Sequence, residues 1–81
     1  MRIDVLCFAM VREVVGQPEL RLELDEGATA QTAAAALAAL HPGLCPLLPN
    51  VRFAVNEEFT AASSALRDGD RLALIPPVSG G

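Results

Sequence analysis

The sequence has no lysine, tryptophan or tyrosine, and its 81 residues include only two cysteines and one histidine, His41. Its six basic residues are outnumbered by ten acids, which gives a net charge of −4. Because proteins usually contact phosphate backbones through clustered Lys and Arg, we predict no nucleic-acid partner. Two cysteines and one histidine are too few for a disulfide scaffold or a four-ligand zinc site. We therefore predict neither a bound metal nor a permanently bound cofactor.

Long hydrophobic runs are also absent. The two longest, residues 5–11 and 33–40, contain seven and eight residues, whereas a membrane-spanning helix needs about 20. Arg2 precedes the first run, but the acidic Asp4 lies between Arg2 and the run, and no small-residue cleavage site follows. A signal peptide is therefore not predicted. These features predict a cytoplasmic protein without a membrane partner.

The composition is that of one folded domain. Hydrophobic residues make up 52% of the chain and charged residues 20%, which supplies enough apolar side chains for a core. The length fits a single domain and leaves no room for a second one.

Apolar periodicity predicts five strands and two helices. Alternation predicts strands at residues 2–8, 19–25, 51–55, 59–60 and 71–75. Helical spacing predicts a short helix over residues 9–15 that ends at Gly16, and a long helix that Thr29 caps and His41 ends. The inward stripe of the long helix is predicted to be Ala33, Leu37 and Leu40.

This order of elements predicts an α+β fold, in which a mixed sheet packs on one long helix. The best single arrangement is the ubiquitin-like β-grasp, with the first and last strands parallel and adjacent at the centre of the sheet. We place the domain at residues 1–75 and an extended C-terminal tail at residues 76–81.

The tail is the most informative part of the sequence. Pro76 and Pro77 cannot continue a hydrogen-bonded ladder, and six extended residues span roughly 20 Å. Gly80 and Gly81 have no side chains, so a narrow channel in a partner could accept the backbone up to the carboxylate of Gly81, where we expect the chain to end. The alternative is an ordinary frayed terminus without a role.

A carboxylate presented in this way must be activated before it can transfer its acyl group. The chain has no lysine and no glycine-rich phosphate-binding loop. We therefore expect a separate enzyme that uses ATP to activate Gly81.

Three stretches carry a family resemblance: LCFAMVREVVG at residues 6–16, AVNEE at 54–58 and LRDGDRLALIPPVSGG at 66–81. In these stretches the chain resembles the small, sulfur-carrier subunits of molybdopterin synthase. The resemblance implies a β-grasp fold and a Gly81 that is adenylated and then converted to a thiocarboxylate, a C-terminal 1-thioglycine. It implies three partners: a large catalytic subunit, a ubiquitin-activating-like adenylyltransferase and a sulfur-donor protein.

In that family the tail enters the active site of the large subunit, in a heterotetramer, and sulfur passes to cyclic pyranopterin monophosphate to form a dithiolene. The residues that the resemblance assigns to the transfer are Gly80 and Gly81. Those it assigns to partner binding are Phe8, Phe59, Ile75, Pro76, Pro77, Val78 and Ser79. The family often has an aromatic residue where Cys7 and Ile75 stand.

Other interpretations stay open at this point. Phe8 and Ile75 lie on predicted central strands, where packing in the core is the commoner fate of a large apolar residue. The same tail chemistry would suit a sulfur carrier for thiamine thiazole or a tungsten cofactor, although thiazole carriers are usually shorter and lack the segment matching residues 10–16. A ubiquitin-like protein modifier and an interaction module with an inert tail are further alternatives.

Overall fold

The computed structural model of the chain describes residues 1–77. Its strands are β1 (Arg2–Cys7), β2 (Glu19–Glu23), β3 (Arg52–Val55), β4 (Glu58–Thr60) and β5 (Arg71–Ile75). Its α-helices are α1 (Ala9–Val15) and α2 (Ala30–Leu40), and two short 3₁₀ helices, Pro42–Leu44 and Leu48–Asn50, connect α2 to β3. The predicted elements are therefore all present, although β1, β2 and β3 are shorter than predicted and β4 is one residue longer.

The five strands form one mixed sheet in the order β2-β1-β5-β3-β4. β1 and β5 are parallel, and the other neighbouring pairs are antiparallel. The predicted central pair of first and last strands is confirmed. Because β5 lies between β1 and β3, the root of the C-terminal tail is held at the centre of the sheet.

Helix α2 covers one face of the sheet and forms the core with it. Thr29 caps this helix as predicted, because its Oγ1 accepts a hydrogen bond of 3.2 Å from the backbone N of Thr32. The fully buried large side chains are aliphatic and come from the strands, both α-helices and the first 3₁₀ helix: Ile3, Val5, Val11, Leu37, Leu44, Leu72 and Leu74. Burial of this apolar surface is the main stabilising contribution to the fold.

The predicted inward stripe of α2 is wrong at one position. Ala33 and Leu37 are buried, but Leu40 is 65% exposed. The helix buries Ala30, Ala34 and Ala38 as well, and Leu40 lies roughly 90° from the centre of that stripe at 100° per residue. Leu40 is also the last residue of the helix, so less of the domain lies beneath it.

The first strand ends one residue earlier than predicted. Phe8 is the extended N-cap residue of α1 and is 47% exposed, so the alternative interpretation, in which it packs in the core, is wrong. The chain turns sharply there because Ala9 adopts a φ of 47°. At the other end of α1, Gly16 has the predicted left-handed conformation, with a φ of 88°. Within residues 1–77 no helix has the length and hydrophobicity to cross a bilayer.

Candidate functional site

Among residues 1–77, no helix covers the face of the sheet opposite α2. Alternation along each strand sends every second side chain to this open face. The face has two halves of different character. Ion pairs occupy the half formed by β2 and the start of β1, and apolar side chains occupy the half formed by β4, β3, β5 and the end of β1.

The charged half contains three cross-strand ion pairs. Arg2 pairs with Glu23 and Arg21 pairs with Asp4, each with a nitrogen–oxygen distance of 3.3 Å. Farther toward the apolar half, Arg71 reaches Glu19 at 3.4 Å. All three pairs are largely exposed, and exposed pairs contribute about 0–1 kcal/mol each. Since the charges are matched within the face, this half offers a partner little net attraction.

The apolar half is built on one row of residues that crosses four strands. The strand register places Phe59 beside Ala54, Ala54 beside Ala73, and Ala73 beside Leu6. The two alanines are buried although they lie on the open face, because larger side chains surround them. Small residues in the middle of the row and larger ones around it produce a groove of about 420 Å³.

We call this feature the apolar groove, and define it by its apolar lining residues Leu6, Phe8, Ala54, Phe59, Ala73 and Ile75. It brings together three residues that the sequence assigned to partner binding. Phe59 is 63% exposed and Phe8 47% exposed, while Ile75 is half-buried. Exposed aromatic side chains around a concave apolar surface are typical anchors of protein interfaces. Partner binding by these residues stays a prediction.

Arg52 adds a cation to the edge of the apolar groove. Its guanidinium lies 4.5 Å from the centroid of the Phe59 ring, a distance at which a cation and an aromatic face attract each other. Arg52 also pairs in register with Ile75, the last residue of β5. Arg52, Leu6, Ala54 and Ala73 were not among the predicted site residues. The strand register that joins them is non-local, so the local sequence pattern does not reveal it.

The tail begins at the edge of the apolar groove. Ile75 lines the groove, and β5 ends there. The domain boundary after residue 75 stays a prediction. Pro76 is buried and Pro77 is exposed, so of these two predicted binding residues only Pro77 presents its ring on the surface of the domain. The predicted site residues Val78, Ser79, Gly80 and Gly81 lie outside the described residues.

The remaining reactive side chains lie away from the groove. Cys7 is buried on the core face of β1, and burial raises the pKa of its thiol, whereas Cys45 is exposed. Within the described part of the chain, no three His, Cys, Asp or Glu side chains are grouped closely enough to hold a metal ion.

The sheet order, the single long helix and the parallel central pair define a ubiquitin-like β-grasp domain. The sequence profile of the ThiS family matches residues 5–81, and the chain belongs to that family. It is 43% identical to the molybdopterin synthase sulfur carrier subunit of Chlamydomonas reinhardtii over the full length of both chains. It is 38% identical to small archaeal modifier protein 1 of Haloferax volcanii, over 91% of this chain and 94% of that protein.

The solved structures agree with this assignment. The crystal structure of the same Haloferax protein superposes with a TM-score of 0.88 at 34% identity, with all of both chains covered. A chain in the complex of subunits 1 and 2 of the molybdopterin-converting factor from Helicobacter pylori superposes with a TM-score of 0.70 and is 23% identical, again over all of both chains. At that identity the second likeness concerns the fold alone.

Proposed function

We propose that this chain is the sulfur-carrier subunit of a molybdopterin synthase and acts in the cytoplasm. The observation that carries the proposal is the full-length identity of 43% to a molybdopterin synthase sulfur carrier subunit. The geometry supports it, because the apolar groove directly adjoins the root of the tail. A partner seated on the groove would fix where the tail begins, and six extended residues would carry Gly81 roughly 20 Å from there.

The tail chemistry proceeds in two stages on other proteins. An adenylyltransferase catalyses attack of a Gly81 carboxylate oxygen on ATP, which forms an acyl adenylate and releases pyrophosphate. A persulfide sulfur of the donor protein then displaces AMP, and cleavage of the resulting acyl disulfide by a thiol leaves a thiocarboxylate on Gly81. The folded domain contributes recognition, and the reacting atoms belong to the tail.

The thiocarboxylate then delivers sulfur inside a large subunit. We propose that Phe8, Phe59 and Ile75 dock on that subunit and that residues 76–81 enter its active site. There the sulfur passes to cyclic pyranopterin monophosphate, and two deliveries build the dithiolene. A domain of this fold occurs together with a second subunit in the Helicobacter complex, which supports a large subunit as the partner class, and we propose a heterotetramer around a large-subunit dimer.

Intact-mass spectrometry tests the carrier function. The chain is incubated with the adenylyltransferase, ATP and a sulfur donor, and the expected product is heavier by the exchange of one oxygen for sulfur. A chain that lacks Gly80 and Gly81 is the matched control and stays unmodified. If the full chain also keeps only its unmodified carboxylate, the proposal is wrong.

A protein modifier is the second candidate, favoured by the 38% identity to small archaeal modifier protein 1. In that case Gly81 would form isopeptide bonds with lysines of target proteins. The absence of lysine from this chain means that lysine-linked chains of the protein on itself could not form. Mass spectrometry of peptides that carry a Gly81–lysine linkage in cell lysate separates this candidate from the carrier.

A further inference from the structure

The β3–β4 hairpin that carries Phe59 is held only weakly by its own strands. β4 has three residues and lies at the edge of the sheet, paired with β3 alone. β3 is anchored by its pairing with β5, whereas β4 adds only three residue pairs to the sheet. Phe59 itself is 63% exposed, so burial in the core does not fix its position.

The turn of this hairpin is unfavourable for its sequence. Val55 pairs with Glu58, which leaves a two-residue loop, and both loop residues have positive φ values, 50° for Asn56 and 72° for Glu57. Such turns favour Asn-Gly, and a residue with a Cβ such as Glu57 is disfavoured in the left-handed region. An interaction between the turn and the rest of the domain would help to offset this cost.

That interaction is the side chain of Asn56, which joins the turn to β5 and to the residue before it. Asn56 Nδ2 donates to Asp70 Oδ1 at 3.0 Å, and Asn56 Oδ1 accepts from the backbone N of Arg71 at 3.0 Å. The backbone N of Asn56 also donates to the Arg71 carbonyl at 2.9 Å. The second oxygen of Asp70 accepts from the backbone N of Arg67 at 2.8 Å. Both carboxylate oxygens of Asp70 are thus used.

These contacts connect two sides of the apolar groove. Phe59 lies on β4, which follows the turn that Asn56 begins. Ile75 lies on β5, which begins directly after Asp70. We infer that the Asn56–Asp70 hydrogen bond fixes the position of Phe59 relative to Ile75. The apolar groove is then already formed before a partner binds. The inference rests on the proposed function for the identity of that partner.

The sharpest test exchanges the two side chains between positions 56 and 70. Asn56→Asp keeps the acceptor for Arg71 but replaces the donor with a second carboxylate facing Asp70. Hydrogen bonds to charged groups are among the stronger ones in proteins, and we expect binding to the large subunit to weaken about tenfold or more. The exchanged pair Asn56→Asp with Asp70→Asn has the same net charge as the wild type and can reform the bond, so it should recover to within about threefold.

Asp68→Asn is the matched control for the single variant Asp70→Asn, because each removes one negative charge from the turn at residues 67–70. Asp68 accepts from the backbone N of Arg2 at 2.7 Å and does not contact the hairpin. Its affinity for the large subunit should stay within about threefold of the wild type. Equal losses for Asp68→Asn and Asp70→Asn, or no recovery in the exchanged pair, would overturn the inference.

Hydrogen exchange of the β4 amides supplies a readout that needs no partner. Asn56→Asp should accelerate exchange in β4 while the amides of β1 and β5 keep their protection, and the exchanged pair should restore it. If wild-type protein does not bind the large subunit, the proposed function fails and hydrogen exchange still decides the role of the bond. If β4 exchange is unchanged in Asn56→Asp, the positioning role is wrong whatever the partner.

Discussion

The two faces of the sheet differ in how far the rest of the domain covers them. On β5, Leu72 and Leu74 point toward α2 and are fully buried, while Arg71, Ala73 and Ile75 point to the open face. The core face is saturated by contacts within the domain, whereas the open face keeps large apolar side chains in contact with water. Changes on the core face should therefore alter stability, and changes in the apolar groove should alter binding.

Leu72→Ala should give the largest effect. Leu72 is completely buried, and truncation of a buried leucine costs about 2–5 kcal/mol because transfer energy is lost and a cavity remains. Urea unfolding measures the loss. Ile75→Ala on the same strand is the control and should cost clearly less stability while it weakens binding of the large subunit. Equal destabilisation by the two variants would contradict the division between the faces.

Phe59→Ala should separate binding from stability. Since Phe59 is 63% exposed, its truncation should change the free energy of unfolding by about 0.5 kcal/mol or less. As an aromatic anchor it should contribute about 2 kcal/mol to docking, which is roughly a 30-fold change in Kd. Calorimetric titration with the large subunit measures this change.

Arg21→Ala tests the other half of the open face. Arg21 belongs to an exposed ion pair with Asp4 and lies outside the apolar groove, so its loss should leave Kd nearly unchanged. A binding defect as large as that of Phe59→Ala would show that the charged half contacts the partner too.

The sequence predicted the elements of the fold because their signals are local. Gly16 after α1 and the Thr29 cap each depend on a few neighbouring residues, and each is found in the structure, while the alternation in residues 19–25 becomes a strand only over 19–23. The central parallel pair of first and last strands followed from the order of strands and helices. The prediction for Leu40 was wrong because Leu40 lies about 90° around the helix from the centre of the buried stripe.

The apolar groove could be predicted only in part. Phe59, like Phe8 and Ile75, was selected through the family resemblance. Ala54 and Ala73 carry no such signal, since alanine is common in cores and on surfaces alike. They become a groove floor only through the register that aligns β3 with β5, and register between strands far apart in sequence cannot be obtained from local patterns.

Glu57→Gly, in the turn between β3 and β4, should stabilise the protein by a smaller amount. Glycine relieves the positive φ of 72° at position 57, and after its greater entropy loss on folding the net gain is about 0.5–1 kcal/mol. Glu58→Gly, one residue later in β4, is the control and should destabilise, because glycine weakens a strand. A higher urea midpoint for Glu57→Gly alone is the expected result, and destabilisation by both variants would contradict it.

Alkaline pH should lower the stability of the protein slightly, because Cys7 is buried on the core face of the sheet. Burial raises the pKa of the Cys7 thiol in the folded protein, so over the alkaline range between its ordinary and raised values the unfolded chain loses a proton that the folded protein keeps. Stability is therefore fully present below the ordinary thiol pKa and falls as pH rises through this range. In a Cys45→Ser background, the pH dependence of urea unfolding is compared between Cys7 and Cys7→Ala. The chain has no lysine or tyrosine, and the terminal amine is common to both proteins, so their difference isolates the thiol. The Cys7 protein should lose stability relative to Cys7→Ala as the pH rises, and parallel curves would mean that the thiol ionises equally in both states.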